Sequence, residues 1–104
     1  MKKLILALSL ILSTATTQAQ PETYANNRII SAGSSITELL IALGAKDQLV
    51  AVDVTSRKYN RDEALPQVGY HRQLSAEGLM ALEPTHLIGS NEMGPENTLT
   101  LLKS

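Results

Sequence analysis

From residue 28 onward, short apolar runs alternate with amphipathic stretches and with breaks rich in Gly, Ser and Pro. Arg28-Ile29-Ile30-Ser31 has β character, and Gly33-Ser34-Ser35 interrupts it. Ile36, Leu39, Leu40 and Leu43 then recur at helical spacing. Ser35 and Glu38 fit a capping box at the start of that helix, and Gly44 fits its stop, so the pattern predicts a helix over 36–43. Leu49-Val50-Ala51-Val52-Asp53 reads as a second strand, apolar enough to be covered on both faces. Residues 54–74 show no period and read as a long loop, with a helical turn near 61–64. Ser75 caps a short helix with Leu79, Met80 and Leu82 inward, and Pro84 closes it. Thr85-His86-Leu87-Ile88-Gly89-Ser90 is the third strand. After Asn91-Glu92-Met93-Gly94, Pro95 suits the first position of a last helix holding Leu99, Leu101 and Leu102.

Alternating strands and helices of this kind predict an α/β fold, with a three-stranded parallel sheet and flanking helices. The N-terminus has a different pattern. Met1-Lys2-Lys3 is basic, Leu4 to Leu12 is one apolar run apart from Ser9, and small polar residues follow. This is the layout of a secretory signal, with Thr17 and Ala19 at the spacing read by signal peptidase. Cleavage is expected after Ala19, making 1–19 the signal and 20–27 a polar leader. A membrane anchor is the alternative, but the run is about half of the ~20 residues that a spanning helix needs.

Composition narrows the chemistry. The 104 residues include no Cys, Trp or Phe and only three Tyr. Without Cys there is no disulfide, thiolate metal site or thiol nucleophile. Nine basic against ten acidic residues give a net charge of −1, and loss of Lys2 and Lys3 makes it −3. That balance argues against a nucleic-acid partner. A mature chain of roughly 85 residues buries only about 60–65% of its unfolded surface, so it is expected to be the front piece of something larger.

Parallel strands end on one edge, and ligands of open α/β sheets bind there. That edge collects Gly33-Ser34-Ser35, the stretch from Thr55 to Arg72, and Asn91-Glu92-Met93-Gly94. Gly33-Ser34-Ser35 suits either a small anion or a plain helix entry. Gly69-Tyr70-His71-Arg72 is the most informative cluster. A phenolate is a hard ligand for ferric iron, and Tyr is a known axial ligand of haem. A nearby Arg favours the anionic phenol and can pair with a carboxylate. The alternative is a loop Tyr packed on apolar neighbours. His71 is the rival ligand, but adjacent side chains in an extended loop point opposite ways, so only one of the two faces a cleft easily. His86 at a strand start reads as a packed or surface residue, and Asp62-Glu63 as a solvated pair. No nucleophile, base and orienting acid occur at suggestive spacing, so no enzyme activity is expected.

Several segments resemble the periplasmic haem-binding proteins of ABC importers. They are Arg28 to Glu38, then Leu49 to Asp53 with Thr55-Ser56-Arg57, then Leu65-Pro66-Gln67-Val68-Gly69-Tyr70-His71-Arg72-Gln73-Leu74-Ser75-Ala76-Glu77-Gly78. Leu82 to Gly89 and Glu92-Met93-Gly94-Pro95 extend the likeness. The opening segment also suits siderophore and cobalamin binders, and the Gly-Tyr stretch narrows the resemblance to haem. The resemblance implies a two-lobed fold of the class III type, with a long helical linker and haem in the cleft. Residues 28–104 would be a partial N-terminal lobe. Tyr70 would be the axial ligand of haem iron, Arg72 would meet a propionate or support the phenolate, and Arg57 is a further propionate contact. Glu38 ends a motif of the kind that engages the permease, although its capping role competes. Haem would be cargo, passed to an inner-membrane permease and its ATPase and supplied through an outer-membrane receptor. A ferric siderophore or cobalamin binder of the same class, or an inactive truncated fragment, are the alternatives.

Overall fold

The computed structural model describes residues 26–104. The expected signal, 1–19, and all of the leader except Asn26 and Asn27 lie outside the described residues. Three strands, β1 (Ile29–Ala32), β2 (Leu49–Val52) and β3 (His86–Gly89), form one parallel sheet in the order β2-β1-β3. The helices are α1 (Ser34–Ala42), α2 (Ala76–Met80) and α3 (Glu96–Lys103). The α/β fold and its element order therefore follow the pattern read from the sequence.

β1 is the central strand, and all four of its residues are buried. Ile30, Ala32, Ala51, Leu74 and Leu79 make one core cluster, while Ile29, Leu40, Leu49 and Val52 make a second. Gly89 stands where β3 passes β1 closely. A Cβ there would come 2.5 Å from Met93 Sδ and 3.0 Å from the Ala32 carbonyl oxygen, so a larger residue requires Met93 to move and β1 to give way slightly. β2 is an outer strand of the sheet, yet its edge is covered. Val52 donates to the Pro66 carbonyl at 3.1 Å and accepts from the Val68 amide at 3.0 Å. This pairing pins the middle of the long loop and satisfies backbone groups that an open edge would leave bare. Arg28 fixes the other end of the sheet, donating from Nε to the Glu83 carbonyl and from Nη2 to the Leu82 carbonyl, just after α2.

Several expectations need correction. Helix α1 starts at Ser34, and its N-cap is Gly33 with no side-chain cap, so Ser35 and Glu38 do not form a capping box. Gly33 has φ +121°, a conformation open to glycine, and that turn sets the helix entry. The apolar stripe is also incomplete. Leu39 and Leu43 are 54% and 71% exposed, whereas Thr37 is buried. Thr37 is drawn inward because its hydroxyl bonds Ser31 Oγ at 2.7 Å and Ser56 Oγ at 2.6 Å. The helical turn expected near 61–64 lies instead at Val54–Tyr59, as a 3-10 segment whose start is fixed by Asp53. Met80 and Leu101 face outward, and Pro95 is the N-cap of α3 rather than its first residue. Gly44 does end α1, with φ +80°, and the Ser75 hydroxyl does cap α2 by accepting from the Gly78 amide at 3.2 Å.

Ile30 is fully buried in the central strand, so Ile30→Ala should destabilise the chain by about 2–5 kcal/mol. Leu39→Ala on the exposed side of α1 should stay within about 0.5 kcal/mol. Urea denaturation midpoints of the two variants check the contrast.

Candidate functional site

The loops after β1, β2 and β3 meet at one edge of the sheet, and Asp53 sits at their junction. It follows β2 directly and is fully buried. Its carboxylate accepts from Thr55 Oγ1 at 2.5 Å, Ser56 Oγ at 2.7 Å and the Thr55 amide at 3.3 Å. The backbone N–H of Gly33 also points at it. Burial alone would raise the Asp53 pKa, but the hydrogen bonds from Thr55, Ser56 and Gly33 together outweigh it, and the pKa lies below the usual value. Gly33 is the N-cap of α1, so Gly33-Ser34-Ser35 serves as the entry to that helix.

The segment Gly69-Tyr70-His71-Arg72 lies against this junction. Gly69 has φ +89°, and its carbonyl accepts from the Val54 amide at 2.8 Å. That bond ties the loop to the 3-10 segment. His71 turns inward and is 8% exposed, while Tyr70 is 41% exposed. Their rings meet edge to face, with centroids 4.8 Å apart. The two side chains therefore pack together on a turn rather than pointing opposite ways as expected of an extended loop, and His71 is the buried member of the pair. Its Nδ1 lies 3.3 Å from Asp53 Oδ2 without hydrogen-bond geometry, and its Nε2 lies 3.6 Å from Glu92 Oε1. Both ring nitrogens are thereby turned toward protein carboxylates rather than a cleft.

Arg72 reaches across to the loop after β3 and pairs through Nη2 with Glu92 Oε2. Both side chains are about half exposed. Arg57 is exposed on the 3-10 segment and lines a groove of about 970 Å³ with Lys58, Asn60, Arg61, Leu65 and Gln67. That groove is not lined by Tyr70 or Arg72. Tyr70 and Arg72 thus stand two positions apart on one loop, and Arg57 is on the neighbouring 3-10 segment. His86 is exposed on β3, with Nδ1 2.8 Å from Thr85 Oγ1, as a surface residue. Among the described residues, no group of three or more His, Asp or Glu is placed to hold a metal ion.

Two residues of this edge carry more than the sequence reading assigned them. Asp53 was visible only as the end of a strand, although Asp53-Val54-Thr55-Ser56 has the spacing by which an Asp accepts from residues two and three ahead. Glu92 carried no local signal, because its partners His71 and Arg72 are some twenty positions away.

A family model described as periplasmic binding protein matches residues 29–104. No curated protein matches the chain. Among solved structures, the periplasmic haem-binding protein HutB of Vibrio cholerae is 64% identical with a TM-score of 0.69; the match covers 74% of this chain and 30% of that one. A periplasmic haem-binding protein from Pseudomonas aeruginosa is 49% identical at the same TM-score, over 74% of this chain and 28% of its own. The periplasmic vitamin B12 binding protein BtuF of Vibrio cholerae is 31% identical with a TM-score of 0.64, over 74% and 30%. The chain thus spans about 30% of the length of the solved proteins it matches.

The lowered Asp53 pKa has a consequence for stability. A carboxyl depressed by folding stabilises the native state above its unfolded pKa of about 3.9, and that contribution disappears as pH falls through the folded value. The stability difference between the wild-type chain and Asp53→Asn should stay level from about pH 6 to pH 5 and shrink below about pH 4. Urea unfolding at stepped pH measures it, and a difference unchanged down to about pH 2 would contradict the assignment.

Proposed function

The chain belongs to the periplasmic binding protein family, and on that premise we propose that it is haem-binding sequence from an ABC importer. In this reading residues 1–19 are a signal cleaved after Ala19, 20–27 a leader, and 28–104 part of the N-terminal lobe of a two-lobed protein. Its place is the periplasm, and its role is to bind haem and pass it to an inner-membrane permease with its ATPase. An outer-membrane receptor supplies the haem. Tyr70 is the axial ligand of the ferric iron, Arg72 takes a propionate or steadies the phenolate, and Arg57 is a second propionate contact from the adjoining groove.

The observation that carries this reading is the split between Tyr70 and His71. The imidazole is buried between Asp53 and Glu92, and the phenol next to it is exposed. A phenol offered outward beside a guanidinium suits a hard ferric ion carrying carboxylates. The exposed cations of the groove, Arg57, Lys58 and Arg61, outnumber its one acid, Glu63, and favour an acidic ligand as well. Identity of 64% and 49% to two haem-binding proteins supports haem over a corrinoid, whose binder stands at 31%.

Competition binding tests the reading. The full chain is loaded with ferric haem, and its absorption is followed while cyanocobalamin or a ferric siderophore is added in molar excess. Retention of haem against both is expected. Displacement by either competitor, or no uptake of haem at the start, would overturn the assignment.

A further inference from the structure

Arg72 already holds a carboxylate. The guanidinium pairs through Nη2 with Glu92 Oε2, while the other oxygen of the same carboxylate lies 3.6 Å from His71 Nε2. Glu92 therefore sits in the fork of the one cation adjoining Tyr70 in the chain. It reaches there from the loop after β3, outside the segment that carries Tyr70. Both partners of the pair are about half exposed, and an exposed ion pair of this kind is held only weakly against solvent and competitors.

We infer that Glu92 is a placeholder for a ligand carboxylate: it pairs with Arg72 and must yield when an acidic ligand arrives. The inference rests on the reading of Tyr70 and Arg72 as the haem site. It goes further by assigning Glu92 a selective role. A ligand with a carboxylate can replace Glu92 at Arg72 and leave the guanidinium paired. A ligand without one must either leave the pair intact or strand Arg72, so it gains nothing from the exchange. The charge of Glu92 also repels an approaching carboxylate. Both effects weaken binding of the acidic ligand, and both vanish when the side chain becomes a neutral amide of the same shape. The Gly69 carbonyl keeps its bond from the Val54 amide in that variant, so the loop stays anchored.

The test compares the full chain with Glu92→Gln, titrated with ferric haem and with haem dimethyl ester at low ionic strength. Glu77→Gln, an exposed acid on α2, controls for the loss of one negative charge. Glu92→Gln should bind haem about three- to fivefold more tightly, a gain of the size set by a surface ion pair. The gain should fall in high salt. The ester should bind both chains equally, and Glu77→Gln should match the wild type. Haem bound equally or more weakly by Glu92→Gln, or an equal gain for the ester, overturns this inference while leaving haem binding itself intact. Failure of both chains to take up haem overturns the haem reading and this inference together.

Discussion

Asp53 is a charged group taken fully out of water at the C-terminal end of β2. Burial of a carboxylate is costly unless hydrogen-bond donors surround it. The donors here come from two places: the Gly33 backbone at the entry to α1, and Thr55 and Ser56 at the start of the 3-10 segment, with His71 from the Tyr70 loop packed alongside. Each of these segments follows or flanks a strand end, so satisfying one carboxylate fixes their relative positions. The Ser31–Thr37–Ser56 hydroxyl chain extends the same network from β1 through α1. Ser31, Thr37, Ser56 and Asp53 are thus paired with each other where an apolar core would otherwise continue.

The chemistry of the edge follows from that constraint. His71 fits beside Asp53 because its ring is drawn between two carboxylates, one buried and one exposed. Tyr70 lies more exposed beside it, on a loop shaped by the positive φ of Gly69 and the bond from Val54 to the Gly69 carbonyl. The ring of His71 packs edge-on against that of Tyr70, which gives the exposed phenol a rigid neighbour. Arg72 leaves the same loop toward β3 and finds Glu92. Beside one buried acid, four consecutive residues thus form a turn, an exposed phenol, a buried imidazole and a cation.

The order of elements was legible in the sequence because apolar runs and glycine breaks are local signals. Gly44 and Ser75 act as read, since each works within a few positions of the helix end it closes. The start of α1 was misread because the donor-acceptor partners are not local. Ser35 and Glu38 had the right spacing for a cap, but Gly33 shaped the turn beside Asp53, a carboxylate twenty positions on. Thr37 gave way to the same effect: an amphipathic pattern ranks it as surface, and hydroxyl partners on β1 and the 3-10 segment bury it. Adjacency in an extended loop would separate Tyr70 from His71, but the chain turns here and their rings pack together. Which of them turns inward depended on Asp53 and Glu92, and no local pattern encodes those contacts.

Ligation of ferric iron by the Tyr70 phenolate is most directly tested by absorption spectroscopy of the haem-loaded chain and its Tyr70→Phe variant. Phe keeps the ring and its packing against His71 and removes only the donor oxygen. The wild-type chain should show a tyrosinate-to-iron charge-transfer band, and the variant should lose that band and bind haem more weakly. The same spectrum and affinity in both chains would contradict it.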